Sequence, residues 1–117
     1  MKTAVPTYSC LAVAVALGSG YRVISARDIL YCVAEGNNTH IHLKDGQQLT
    51  SGKNIKQIFG MLSQDDFVRI HHSYVVNLEH VLRLTLEPEM QVELRDGSRI
   101  LVSRRKKKDL LEHYLIL

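Results

Sequence analysis

Cysteine, proline and tryptophan are scarce in this chain, which has two cysteines, two prolines and no tryptophan among its 117 residues. Cys10 and Cys32 form no CxxC pair, and no HExxH spacing occurs, so the common motifs of zinc and dithiol redox sites are missing. Both cysteines lie in apolar runs, which favours buried free thiols in a reducing cytoplasm over a disulfide. We therefore expect no metal and no cofactor.

Long hydrophobic runs are also missing. The apolar stretch at residues 10–17 is far shorter than the roughly 20 residues that a membrane-spanning helix needs. A secretory signal peptide is the alternative, because Ala14-Val15-Ala16 resembles a cleavage site. However, Lys2 is the only positive charge before the stretch, and polar residues interrupt the segment between them. We expect a buried strand, no membrane segment and a cytoplasmic protein.

Positive and negative charges nearly balance over the whole chain, but positive charge is concentrated in one segment. The formal net charge is +3, and the segment between positions 99 and 108 contains basic residues and no acid. Such a cluster is either a solvated helix surface or a contact surface for an anionic partner, most often nucleic acid. The length and the 45% hydrophobic content are typical of one folded domain.

Short apolar or alternating runs separated by turn residues predict a mainly β fold. Strands are expected at residues 11–17, 21–24, 29–35, 39–43, 48–50, 67–70, 74–76, 81–86, 90–95 and 100–102. Asn54 is expected to cap one short central helix that reaches about Leu62. Ser103 is expected to cap a C-terminal helix over residues 104–114, whose basic first turns oppose the helix dipole unless a phosphate offsets them.

Four segments carry a family resemblance: residues 28–38 (DILYCVAEGNN), 55–62 (IKQIFGML), 67–77 (FVRIHHSYVVN) and 94–105 (LRDGSRILVSRR). In this order they resemble the LytTR DNA-binding domain of bacterial response regulators. The resemblance covers residues 21–114 and implies antiparallel strands in small sheets with a barrel-like part. It divides the chain into an N-terminal segment, residues 1–20, and a DNA-binding domain, residues 21–117. Either residues 2–7 or residues 12–17 would supply the family's first strand.

The resemblance also implies a mode of DNA binding in which loops, rather than a recognition helix, enter successive major grooves. The segments at 36–39, 71–73 and 103–105 would then read the DNA. The implied base-reading candidates are Asn37, Asn38, Thr39, His72 and Arg105. Arginine and asparagine can each make two hydrogen bonds to one purine base, which supports their assignment. The candidates for phosphate contact or loop bracing are Lys53, Arg69, His71, Ser73, Asn77, Ser103, Arg104, Lys106 and Lys107.

The partner implied is double-stranded DNA with direct-repeat sites, on which two copies would pair, and no catalysis is expected. An upstream receiver or sensory domain, common in the family, has no counterpart in this sequence. Simpler roles stay open for several residues: Asn37 and Asn38 as turn formers, and His71 and Asn77 as structural side chains. The alternatives for the whole chain are a metal or nuclease-like site built from its six histidines, or a basic β-rich protein-interaction or ligand-binding module.

Overall fold

Residues 12–117, the part of the chain that this computed structural model describes, contain ten strands, two short helices and three 3₁₀ turns. The strands are β1 (Ala12–Leu17), β2 (Gly20–Ser25), β3 (Ile29–Glu35), β4 (Asn38–Leu43), β5 (Gln48–Ser51), β6 (Phe67–His71), β7 (Tyr74–Asn77), β8 (Val81–Thr85), β9 (Gln91–Leu94) and β10 (Arg99–Leu101). The helices are α1 (Ile55–Met61) and α2 (Lys107–Leu111). The predicted mainly β fold with small sheets and two helices is confirmed.

The strands form three separate antiparallel sheets. β1 and β2 make a two-stranded ribbon, β5-β4-β3-β7-β6 make a five-stranded sheet, and β10-β9-β8 make a three-stranded sheet. The expected barrel-like part is corrected to open sheets: within residues 12–117 no sheet closes on itself. β5 and β6 are the two edges of the largest sheet and do not pair with each other, so the closure that a barrel requires does not form.

Two hydrophobic clusters cover the two faces of the five-stranded sheet. The first contains Cys32, Ile41 and Val75, together with side chains of the ribbon and of α1. The second contains Val68, Ile70 and Val76, together with side chains of the three-stranded sheet and of α2. Because each face of the central sheet is packed against a different layer, its position between them is fixed by burial on both sides.

Alternation along the strands determines which side chains enter each cluster. Met90, Val92 and Leu94 are all buried in the second cluster, as expected for apolar residues at every second position of a strand. Cys32 is free and fully buried, as expected, and burial raises the pKa of its thiol to about 12. Cys10 and the alternative first strand at residues 2–7 lie outside the described residues. The observed β1 supplies Val15 to the first cluster, whereas the domain division after residue 20 stays a prediction.

The two helices differ in how well the sequence defined them. α1 begins with a capping box in which the Asn54 side chain accepts from the Gln57 amide at 2.9 Å and the Gln57 side chain accepts from the Asn54 amide at 3.0 Å. The C-terminal helix is shorter than predicted, because Arg104–Lys106 form a 3₁₀ turn and α2 ends at Leu111. Ser103 makes no side-chain cap bond, and the turn carries only basic charge, which a helix start does not stabilise.

Candidate nucleic-acid interface

Two of the predicted reading segments lie side by side at one end of the five-stranded sheet. β3 pairs with β7 through Val33 opposite Tyr74, so the turn after β3 and the turn before β7 are at the same end. The Ala34 amide donates to the Ser73 carbonyl at 2.8 Å. A main-chain hydrogen bond therefore connects β3, two residues before the first reading segment at 36–39, to the second segment, residues 71–73.

The third segment, which follows β10, is connected to the same end. The Ser103 amide donates to the Ile70 carbonyl, also at 2.8 Å, just before the second segment begins. Since the Ser103 side chain forms no cap bond, this residue braces the junction through its backbone. We call the end of the sheet formed by residues 36–39, 52–54, 71–73 and 103–106 the loop edge.

Lys53 and Thr39 lie together at the loop edge, because Thr39 pairs with Ser51 at the end of β5. The Thr39 hydroxyl donates to the Lys53 carbonyl at 2.8 Å, and the Thr39 side chain is 0% exposed. The assignment of Thr39 as a base reader is therefore corrected, because a buried side chain that already donates its only hydroxyl hydrogen offers nothing to a base edge. It braces the segment that carries Lys53, whose side chain is exposed.

The turn at residues 71–73 is held from within. The Ser73 amide donates to His71 Nδ1 at 3.1 Å, and the Arg69 guanidinium donates to the His72 carbonyl. Burial lowers the pKa of His71, and the nearby His72 and Arg69 lower it further. A neutral His71 suits this arrangement because Nδ1 must accept a hydrogen bond. His72 itself is exposed, with its ring centroid 4.6 Å from that of His71.

Asn77 is far from the loop edge. It pairs with Phe67 at the opposite end of the β6–β7 pair and is 1% exposed. Its side-chain amide donates to the Ile29 carbonyl at 2.9 Å, and its side-chain oxygen accepts from the Glu79 amide at 3.0 Å. The phosphate-contact alternative for Asn77 is corrected, because both polar atoms of the buried side chain already bond the backbone.

The exposed polar side chains of the loop edge carry the charge and hydrogen-bonding capacity of this surface. Asn37, in the tight β3–β4 turn, and Asn38, directly after it, are exposed, as are Arg104, Arg105 and the adjacent Lys107, while Lys106 is half-buried. None of the four ion pairs within residues 12–117 involves residues 104–108. Their positive charge is therefore available to an anionic partner.

Two negative observations limit the chemistry of the described residues. Within residues 12–117, no group of three or more His, Cys, Asp or Glu residues is placed to hold a metal ion. In the same part of the chain no helix combines the length and apolar character that crossing a membrane requires.

Sequence reasoning missed the features that gather the loop edge. The bonds from Ala34 to Ser73 and from Ser103 to Ile70 join backbone atoms, so no residue type marks them in the sequence. The burial of Thr39 had a signal, since Thr39, Ile41 and Leu43 alternate on one face of β4 and all three are buried. Asn77 likewise ends β7 and caps a 3₁₀ turn, which is a common structural position for asparagine.

An open β scaffold that holds exposed arginine, lysine and asparagine side chains on backbone-connected loops has the make-up of a nucleic-acid-binding domain. Residues 19–114 match the profile of the LytTr DNA-binding domain family, and the chain belongs to this family. The resemblance noted from the sequence motifs is thus confirmed. The family is defined by DNA binding in transcription regulation and is not a class of enzymes.

Individual relatives agree with this placement. The chain is 28% identical over 99 residues to the sensory transduction protein LytT of Bacillus subtilis (strain 168), a match that covers 83% of this chain and 41% of LytT. The chain therefore spans less than half the length of that relative. Its fold is similar to the structure of a LytTr DNA-binding domain of a response regulator from Bacillus cereus, with a TM-score of 0.77 and 18% identity. That match covers 87% of this chain and 94% of the other.

Proposed function

We propose that this chain binds specific sequences of double-stranded DNA, with the loop edge entering successive major grooves, and that it performs no catalysis. The main support is the pair of 2.8 Å main-chain hydrogen bonds that hold three separate segments together at one end of the central sheet. Bases are discriminated by side chains held at defined positions, and these bonds position the segments without using any side chain.

The burial and contacts of the candidates support a division of the proposed site into three groups. The base-reading group is Asn37, Asn38, His72 and Arg105, all exposed on the loop edge. Arg105 can pair bidentately with guanine and the asparagines with adenine, each contact being worth about 1–3 kcal/mol of discrimination. The phosphate group is Lys53, Arg104, Lys106 and Lys107. The bracing group is Thr39, Arg69, His71, Ser73 and Ser103, whereas Asn77 has a structural role at the opposite end of the sheet.

The assembly of the whole regulator is a further part of the proposal. Two copies pair on direct-repeat sites in the cytoplasm, and a receiver or sensory domain belongs to the full regulator. LytT, of which the match covers 41%, is named as a sensory transduction protein and has ample length for such a domain. Selection of bound duplexes from a random pool, with pairs of enriched motifs about one helical turn apart or a multiple of it, tests this arrangement.

The roles of the basic side chains are tested by comparing Arg105→Ala with Lys107→Ala. Both residues are exposed and lie in the same basic segment, so they form a matched pair. Arg105→Ala should reduce preference at one base position by about 1–3 kcal/mol, whereas Lys107→Ala should weaken binding to selected and scrambled duplexes alike. Affinities measured by fluorescence anisotropy on single-base variants of the selected duplex decide this. Identical effects of the two substitutions on every duplex would refute the division of roles.

A further inference from the structure

Glu35 is an acidic residue directly adjacent to the loop edge. It is the last residue of β3 and pairs with Asn38 across the turn that carries Asn37. The segments 36–39, 52–54, 71–73 and 103–106 contain no aspartate or glutamate. The Glu35 side chain is 74% exposed, so its carboxylate lies on the surface among groups that otherwise donate hydrogen bonds or carry positive charge.

A chain of side-chain contacts orients this carboxylate. His40 Nε2 donates to Glu35 Oε1, and the Thr50 hydroxyl lies 2.9 Å from His40 Nδ1. His40 stands opposite Thr50 on the neighbouring strand β5, and its side chain is only 21% exposed. With Nε2 donating and Nδ1 accepting, a neutral imidazole satisfies both partners, a tautomer assigned from these contacts. The bond from His40 therefore fixes the direction of the Glu35 carboxylate.

The second carboxylate oxygen of Glu35 has no hydrogen-bond partner among residues 12–117, where Oε1 makes the bond to His40. A carboxylate oxygen can only accept hydrogen bonds. In the major groove the matching donors are the exocyclic amino groups, and cytosine N4 is the one that carboxylates commonly contact. Phosphate oxygens, in contrast, are acceptors with negative charge and repel this group.

We propose that Glu35, held by His40 and Thr50, is a specificity-determining residue that accepts a hydrogen bond from a cytosine-type amino group and repels the phosphate backbone at mismatched sites. This inference rests on the proposed DNA-reading role of the loop edge. Specificity is a difference between two affinities, so a group that weakens binding to the wrong sequence increases it as effectively as one that strengthens binding to the right sequence.

The test compares Glu35→Gln with Asp65→Asn in the full chain. Both substitutions remove one negative charge, but Asp65 is exposed near the opposite end of β6, away from the loop edge. Glutamine keeps an oxygen that can accept from His40. Affinities are measured by fluorescence anisotropy on a duplex selected by the unmodified protein and on a scrambled duplex of the same composition.

Glu35→Gln should bind the scrambled duplex about fivefold more tightly, the size expected for removing one like-charge contact at short range in water. Its ratio of selected to scrambled affinity should fall by about fivefold or more, since a base contact is weakened as well. Asp65→Asn should change the scrambled affinity far less and leave the ratio unaltered. Equal behaviour of the two variants would overturn the proposal.

Thr50→Val separates orientation from charge, because valine preserves the shape of Thr50 and removes the hydroxyl that contacts His40. This variant should lose part of the selected-to-scrambled ratio without tighter binding to the scrambled duplex. An unchanged ratio would refute the orienting role of Thr50. If the unmodified protein enriches no sequence, the proposed function fails, whereas the scrambled-duplex comparison of Glu35→Gln and Asp65→Asn still tests the repulsion.

Discussion

At the scale of single residues, Asn77 connects two parts of the fold through its side chain. It bonds the Ile29 carbonyl and the Glu79 amide while 1% exposed. We expect Asn77→Ala to leave both backbone groups without their partner and to lower the free energy of unfolding by about 2–4 kcal/mol. Urea denaturation followed by circular dichroism measures this. The exposed Asn37→Ala is the control and should change it by less than about 0.5 kcal/mol.

His71 gives stability a dependence on pH. Its pKa is lowered in the folded protein, first by burial, so the folded state binds this proton less readily than the unfolded chain, whose histidines titrate near 6.5. The stability that is linked to His71 is therefore fully present above about pH 6.5 and is lost as the pH falls below that value. The pKa of His42 is lowered in the same direction, again mainly by burial.

The variant His71→Asn isolates this effect, because the asparagine oxygen can still accept from the Ser73 amide. Between about pH 7.5 and about pH 5.5, it should lose less stability than the unmodified protein in urea denaturation. The pKa of Glu79 is lowered from 4.5, mainly by its hydrogen bond with Arg27. The stability that the Glu79 carboxylate contributes is therefore lost only at pH values below the range of this experiment. A pH dependence identical to that of the unmodified protein would contradict the assignment to His71.

Which residues are exposed was only partly predictable at this scale. Arg105, Asn37 and Asn38 were recognised as surface candidates from residue type and motif, and the structure leaves all three exposed. The prediction for Thr39 is wrong because alternation along β4 places its side chain on the same buried face as Ile41. The His40 contacts with Glu35 and Thr50 join residues on three strands, so they depend on a strand register that no local pattern reports.

At the scale of elements, the β3–β4 turn requires a backbone conformation that favours glycine. Gly36 has a φ of +61°, and Gly46, in the turn after β4, has a φ of +93°. A Cβ at either position would meet no heavy atom within 4 Å, so the effect of alanine is conformational rather than steric. Each substitution to alanine should destabilise the protein by about 1–2 kcal/mol.

DNA binding should distinguish these two glycines. The Gly36 turn carries Asn37 and lies at the loop edge, whereas the Gly46 turn lies at the opposite end of β4. We expect Gly36→Ala to weaken binding to the selected duplex several-fold and Gly46→Ala to leave it unchanged, when both are measured below their unfolding transitions. If both variants retain full affinity, the conformation of the Gly36 turn does not matter for recognition.

The helices show why the ends of an element are harder to predict than its presence. The spacing of Ile55 and Ile58 and the cap at Asn54 specify α1 by local signals alone. α2 begins later and ends earlier than its helix-forming residues predicted, since the basic segment opposes a helix start and 3₁₀ contacts replace the helical pattern after Leu111. The fully buried Leu110 nevertheless packs α2 against the second cluster.

At the scale of the whole molecule, charge distinguishes DNA from the alternative of a protein partner. With one phosphate contact for each of Lys53, Arg104, Lys106 and Lys107, the logarithm of the binding constant should fall with the logarithm of salt concentration with a slope near −3.6. Lys107→Ala should reduce this slope by about 0.9. Anisotropy titrations across a salt series measure both values. A shallow slope that Lys107→Ala leaves unaltered would favour the protein-interaction alternative.

The sequence predicted most of the strands and helices but not which distant strands pair with each other. The turn residues and alternation located the strands because both act locally, as in the hairpin around Asp96 and Gly97. Packing across the whole chain decides whether distant strands such as β5 and β6 pair. The sequence therefore did not reveal that the sheets stay open where a barrel-like part was expected. The loop edge was predicted only through the family resemblance, since its connections are made by the backbone.

The hydrogen bonds from Ala34 to Ser73 and from Ser103 to Ile70 have an evolutionary consequence. Because these two bonds join main-chain atoms, residues at the outward positions of the segments can change without breaking either of them. A gene duplicate of this protein could therefore acquire a new operator through a few substitutions that leave stability intact. The regulatory targets can then diverge while the fold is conserved.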